Sequence, residues 1–133
     1  FITGGSIGQG MPLATGAAVA CRDRPVLSLS GDGSAMYTLQ SLWTQAREQL
    51  NVTTVIYANR SYAILHGELR NIGAQQGKNT RRLFDLENPY LNWVEMARGM
   101  GVEGVRVETA EELHRAMGHG LSTPGPYLIE ATC

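Results

Sequence analysis

The chain has 133 residues, enough for one domain with a single core, and its 43% hydrophobic and 17% charged content is that of an ordinary globular protein. A formal net charge of −1 offers no pull toward nucleic acid or anionic membrane, and no apolar stretch is long enough to span a bilayer. No basic segment precedes an apolar one at the start, and Cys21 stands far from Cys133, which fits reduced thiols in a cytoplasmic protein rather than a disulfide framework.

The first ten residues include Gly4, Gly5, Gly8 and Gly10. A glycine-rich loop starting at Phe1 has nothing before it to anchor it, so the chain is expected to be a piece of a longer polypeptide. Residues 12–20 are small and apolar, with Pro12 suited to a first helical turn. Residues 26–30 form a short β-rich run that ends at Gly31-Asp32-Gly33-Ser34. Leu39, Leu42, Trp43, Ala46 and Leu50 follow a helical period and predict one amphipathic helix over 39–50, with Trp43 in the core. Residues 53–58 are β-branched and aromatic, the signature of a strand. After Asn59-Arg60-Ser61 a short helix begins near Tyr62. Residues 67–88 are polar, with Gly73, Gly77 and the adjacent Arg81 and Arg82, and predict a long functional or mobile loop.

Asn92 with Glu95 predicts a capping box that opens a helix through Met100, stopped by Gly101. Residues 105–107 form the next strand, Thr109 with Glu112 caps a helix to about Leu121, and residues 127–131 form the last strand. Trp93 is expected in the core. Alternating strands and helices predict an α/β fold, a three-layer sandwich with a mainly parallel sheet covered by helices on both faces, in one domain over 1–133.

The chemistry concentrates in Gly31-Asp32-Gly33-Ser34 and Asn59-Arg60-Ser61-Tyr62. Two parallel strands joined by one helical crossover place both C-terminal ends on the same edge, about 4.8 Å apart. Asp32 and Asn59, each just beyond its strand, can then face one small object, in the crevice where open α/β sheets bind ligands. A carboxylate, an amide oxygen and a loop carbonyl are hard oxygen donors, suited to Mg²⁺ or Ca²⁺. Three protein ligands leave octahedral Mg²⁺ with positions for phosphate oxygens and water. Gly31 and Gly33 permit close backbone approach, and Ser34 is expected to open a helix whose N-terminus attracts phosphate. Metal and helix end converge on a diphosphate.

Gly31-Asp32-Gly33, with Asn59 placed 27 residues after the aspartate, resembles the signature of thiamine-diphosphate enzymes. Gly5-Ser6-Ile7-Gly8 followed by Pro12 looks like the family loop that touches the aminopyrimidine ring. Asn59-Arg60-Ser61-Tyr62 is close to the metal-binding turn of acetolactate synthases, and Ser41-Leu42-Trp43-Thr44 resembles a helix of benzoylformate decarboxylase. The resemblance covers essentially the whole chain, as the C-terminal, diphosphate-binding domain.

This resemblance implies thiamine diphosphate and Mg²⁺ as cofactors, with Ca²⁺ as the alternative cation, and leaves FAD in a longer protein open. Asp32 and Asn59 would bind the metal by side chain and Ser61 by its backbone carbonyl. Gly31, Gly33 and Ser34 would hold the diphosphate, with Tyr62 beside the metal turn. Ile7, between Ser6 and Gly8, would be the apolar wedge that bends the cofactor, and Gly5 would offer its carbonyl to the 4′-amino group. The glutamate that protonates the aminopyrimidine would come from an N-terminal pyrimidine-binding domain of a partner subunit, in a homodimer or homotetramer. The chain alone would therefore be inactive.

The resemblance also implies a 2-oxo acid substrate, decarboxylated or ligated to a second acceptor in acetolactate synthase-like fashion. A benzoylformate decarboxylase-like lyase and a non-catalytic assembly subunit are the alternatives. Leu65 stands where pyruvate decarboxylases carry a glutamate, and Glu68 where the relatives carry an aromatic, so His66 and Glu68 are candidates for facing a polar substrate. Other readings weigh less. The glycines lack the G-x-G-x-x-G order after a strand, and no G-K-[ST] occurs, which excludes dinucleotide and P-loop readings. His114 and His119, five residues apart on a helix, do not share a face as metal ligands would. Phosphoryl transfer would need a cation aimed at a terminal phosphate, for which Arg60 is poorly spaced.

Overall fold

The computed structural model describes residues 3–133, so the expectation attached to Phe1 lies outside the described residues. Four strands, β1 (Val26–Gly31), β2 (Val52–Ala58), β3 (Glu103–Val107) and β4 (Tyr127–Thr132), pair in the order β1-β2-β4-β3, and every neighbouring pair is parallel. Parallel neighbours need crossovers rather than hairpins. α1 (Gly10–Ala20) precedes β1, and the crossovers carry α2 (Asp32–Ala35), α3 (Ser41–Arg47), α4 (Ala63–Asn71), α5 (Lys78–Phe84), α6 (Trp93–Gly99) and α7 (Ala110–Ser122).

Consecutive strand residues face opposite sides of a sheet. Val55 joins Val107, Ala116 and Ile129 beneath α7, while its neighbour Ile56 joins Met11, Leu42, Trp93 and Leu128 beneath α1, α3 and α6. β2 and β4 are therefore buried on both faces, and the sandwich is as expected. The cover thins at the edge strand β1. Its α1 side is packed through Val26 against Ala14 and Ala18, whereas Leu29 on the other side is 55% exposed.

Four local expectations change. The helix over 39–50 is shorter, because residues 32–35 form their own helix and 36–40 turn before α3. Gln49 takes a left-handed φ of 50°, Leu50 N–H bonds Gln45 O at 3.0 Å, and Gln49 N–H bonds Ala46 O at 3.2 Å. That is a Schellman closure made without glycine. Leu42 and Leu50 are buried, but Trp43 is 53% exposed with the Arg47 guanidinium 5.4 Å over its ring, so it is not a core residue. Positions 42 and 43 lie about 100° apart around a helix, and only one stripe reaches the sheet. Trp93 is fully buried, as expected.

The segment 67–88 is not one irregular loop. α4 continues to Asn71, and α5 occupies Lys78–Phe84. Gly73, at φ 70°, closes α4 while Ala74 N–H bonds Leu69 O, and Gly77 precedes α5 as its N-cap. These glycines punctuate helices rather than mark a loop. At Asn92 only half the capping box forms: its side chain accepts Glu95 N–H at 3.2 Å, but Glu95 turns to Arg98 at 2.5 Å. Gly101 ends α6 at φ 81°, and Thr109 with Glu112 makes the complete box on α7. No helix among the described residues is long and apolar enough to cross a membrane.

Candidate functional site

Register brings the site together. Gly31 pairs with Tyr57, so the chain leaves β1 and β2 at the same height on the same edge. Asp32, only 3% exposed, directs one carboxylate oxygen to its neighbour Gly33 N–H at 2.8 Å and the other to Arg60 N–H at 2.7 Å. The two turns that sequence spacing pairs are therefore in direct contact. The Asn59 side chain accepts Ser61 N–H at 3.0 Å, which folds the turn on itself, and Arg60 between them is left-handed at φ 58°.

A third segment backs this turn. Arg60 O accepts Leu86 N–H at 2.9 Å, Tyr62 N–H donates to Phe84 O at 2.9 Å, and Ser61 bridges Asp85 in antiparallel fashion. No local sequence signal marks residues 84–86 as a partner of the turn. The Tyr62 ring lies against Gly33, where a Cβ would sit 2.7 Å from ring carbons. Glycine at 33 is thus required by packing. At Gly31 no protein atom lies within 4 Å of the Cβ position, and φ is an ordinary −75°, so nothing in the chain itself demands glycine there.

These turns form the polar floor of a cavity of about 550 Å³, a size typical of small-molecule sites. Asp32, Ser34, Asn59 and Ser61 face it from below. Its walls are apolar: Ile7, Tyr37, Tyr62, Leu65, Leu83 and Phe84. Ile7 is 59% exposed, so this aliphatic side chain is held out at the cavity and is not core. Its loop is clamped from behind. Gly8 N–H donates to Ser34 Oγ at 3.0 Å, and Thr38 Oγ1–H donates to Gly8 O at 2.5 Å. Gly8 itself has φ 87°, and a Cβ there would stand 2.6 Å from Tyr37 Cβ. Thr38 and the role of Gly8 escape sequence reasoning, because their contacts span 26 to 30 residues.

Other candidates sit further out. Gly5 and Ser6 are exposed, and of their loop only Ile7 lines the cavity. α2 has four residues, too few to present the helix N-terminus expected to attract phosphate at Ser34. His66 Nδ1 bonds Gln76 Oε1 at 2.9 Å and its ring meets Phe84 edge-on at 4.9 Å. It borders a separate shallow groove with Arg60, Arg81 and Arg82, and Glu68 is exposed and lines neither space. Arg81 and Arg82 are solvent-exposed as expected, though on α5 rather than a loop. Cys21 and Cys133 are free thiols.

Among the described residues no three His, Cys, Asp or Glu cluster as metal ligands. The Asp32 carboxylate and the Asn59 side-chain amide line one cavity together with Ser61, and oxygen donors of this kind are those a hard cation prefers. The cavity floor thus suits a divalent ion bridging to phosphate, and the walls suit an organic ring system.

The chain has relatives along nearly its whole length. A 52% identical stretch of 131 residues, 97% of this chain and 25% of the relative, is shared with a Mycobacterium tuberculosis protein provisionally named acetolactate synthase large subunit IlvX. Benzoylformate decarboxylase of Pseudomonas aeruginosa is 34% identical over 130 residues, 98% of this chain and 24% of that protein. The solved thiamine diphosphate-dependent 4-hydroxybenzoylformate decarboxylase of Rhodococcus jostii superposes with a TM-score of 0.84 at 35% identity, over 93% of this chain and 22% of that one. The chain thus spans about a quarter of the length of the curated relatives it matches. Residues 2–131 match the model described as thiamine pyrophosphate enzyme, C-terminal TPP binding domain, and the chain belongs to that family.

Proposed function

We propose that the chain holds the diphosphate end of thiamine diphosphate through Mg²⁺, within a larger enzyme that decarboxylates a 2-oxo acid or ligates it to an acceptor. The observation that carries this reading is the 2.7 Å bond from Arg60 N–H to Asp32, which joins the two oxygen-rich turns beneath the cavity. Asp32 and Asn59 give side-chain oxygens to the cation and Ser61 its backbone carbonyl, leaving the remaining positions to phosphate and water. Gly33 and Ser34 cradle the diphosphate. The Ser34 hydroxyl already accepts Gly8 N–H, so its own proton is available to a phosphate oxygen.

Bound there, thiamine diphosphate supplies the electron sink for breaking or forming a carbon–carbon bond beside a carbonyl. Ile7 would meet the ring system from one side, while Gly5 stands further out on the same loop. Among the described residues Asp32 is the one carboxylate lining the cavity, and in this reading it serves the cation. The proton-transfer glutamate is therefore assigned to a pyrimidine-binding domain of a partner subunit. The exposed Ile7, Tyr37 and Leu83 at the mouth support a covering partner, and with it a homodimer or homotetramer.

One observation favours a benzoylformate decarboxylase-like substrate. The wall opposite the floor is Ile64, Leu65, Leu83 and Phe84, without a charged side chain, which suits an apolar or aromatic 2-oxo acid. His66 and Glu68 stand outside that wall, and we assign substrate contact to the wall instead. Two measurements on the intact protein test the proposal. Calorimetric titration with thiamine diphosphate is expected to show binding with Mg²⁺ and little with chelator; equal binding in both would remove the metal reading. A product assay over several 2-oxo acids is expected to yield an aldehyde or an acetolactate-type ligation product. The release of neither from any acid would favour an assembly subunit.

A further inference from the structure

Glu130 is fully buried on the central strand β4, in register with Arg106 on β3 and Ile56 on β2. A carboxylate in that position is costly unless its oxygens are satisfied. They are. Arg106 reaches one oxygen through Nε at 3.2 Å and the other through a terminal nitrogen at 3.2 Å, and the Tyr90 hydroxyl donates to the carboxylate as well. Burial pushes the Tyr90 phenol up, and its bond to Glu130 adds to that, so it remains a proton donor.

The Tyr90 ring also packs against two guanidinium groups. The Arg60 guanidinium lies 5.2 Å from its centroid and that of Arg106 lies 5.0 Å away. Arg60 is the left-handed residue between Asn59 and Ser61, and its own N–H holds Asp32. A non-glycine residue keeps a positive φ only when its surroundings over-determine it. Here the surroundings are Asp32 on the N–H, Leu86 on the carbonyl, and Tyr90 with Glu87 at 3.9 Å on the guanidinium.

We propose that Tyr90, fixed by Glu130 and Arg106, is a positioning residue that holds Arg60 and so sets the Asn59–Ser61 turn for its cation. Tyr90 bonds Glu130 and packs on Arg60 and Arg106, so its influence on the turn runs through Arg60. The inference rests on the metal reading above, and the experiment separates the two. In the intact protein, Tyr90→Leu and Tyr90→Phe are compared with the unaltered chain in two readouts. One is amide hydrogen exchange over residues 59–62 without cofactor. The other is the Mg²⁺ concentration that half-saturates thiamine diphosphate binding.

Tyr90→Leu removes the cation–π contact and is expected to raise that Mg²⁺ concentration about tenfold and to speed exchange at Arg60 and Tyr62 selectively. Tyr90→Phe keeps the ring and is expected to lose no more than about threefold. A residue of merely structural importance would lower the melting temperature and leave both readouts unmoved in the folded protein, and that result overturns the proposal. Equal losses in Leu and Phe variants overturn it too, because the ring would then not be the link. If the unaltered protein shows no Mg²⁺ dependence, the metal reading fails, while unchanged exchange in Tyr90→Leu sinks the positioning role on its own.

Discussion

α7 and the α4–α5 pair sit in one small domain and are built on different principles. α7 carries its instructions locally: Thr109 and Glu112 exchange side-chain and backbone hydrogen bonds at its start, and Ala116 and Gly120 form a stripe buried on the sheet. The close approach at Gly120 is tight, since a Cβ there would stand 2.7 Å from Thr53 Oγ1. α4 and α5 have no buried residue, and they lie beside a turn held by bonds from Phe84 and Leu86 to residues 60 and 62. The difference separates what stabilises the domain from what shapes the cavity. Apolar side chains under α7 are spent on burial, while Leu83 is left 73% exposed at the cavity wall.

The largest expected effect lies in the covered interior. Ile56→Ala, beneath α1, α3 and α6, should cost about 2–5 kcal/mol in denaturant unfolding, from lost burial plus the cavity left behind. Asp32→Ala should leave the fold largely intact but weaken Mg²⁺-dependent thiamine diphosphate binding by at least about 100-fold in calorimetry, equivalent to about 2.7 kcal/mol. Comparable losses of stability in both variants would erase the contrast between interior and site.

Thr109→Ala should cost about 1 kcal/mol of stability and leave cofactor binding unchanged, since the cap is local to α7. The Glu112 carboxyl is held below its ordinary value first by the Glu108 backbone N–H, then by Thr109. A depressed carboxyl contributes stability above its unfolded pKa and loses it as pH falls through the folded one, so the Thr109→Ala difference should shrink in acid. A difference that grew in acid would remove the capping account. The smallest effect on stability, within about 0.5 kcal/mol, is expected for Leu83→Ala, because this side chain is mostly in solvent. Its signature should instead be a redistribution of relative kcat/KM among 2-oxo acids, and an unchanged profile would detach α5 from substrate recognition.

Sequence reading went furthest where a residue's partner is near in the chain or fixed by strand order. The strands, the α7 box and the Gly101 stop are written in a few neighbouring residues, and the pairing of Asp32 with the Asn59 turn follows from two parallel strands sharing an edge. It failed at 67–88, where Gly73 and Gly77 look like loop residues until their roles at helix ends are seen, and at Trp43, whose period suits either side of the stripe.

The sequence by itself determined the α/β order and put Asp32 and Asn59 at the ends of adjoining strands, because these depend on spacing, and its motifs carried the resemblance to the family. Tertiary structure alone decided that Gly8 is clamped by Ser34 and Thr38, that residues 84–86 back the Asn59 turn, and that Tyr90 joins Arg60 to the buried Glu130. Each of those contacts closes a loop of about 20 residues or more, and contacts across such distances leave no periodic trace in the chain that makes them.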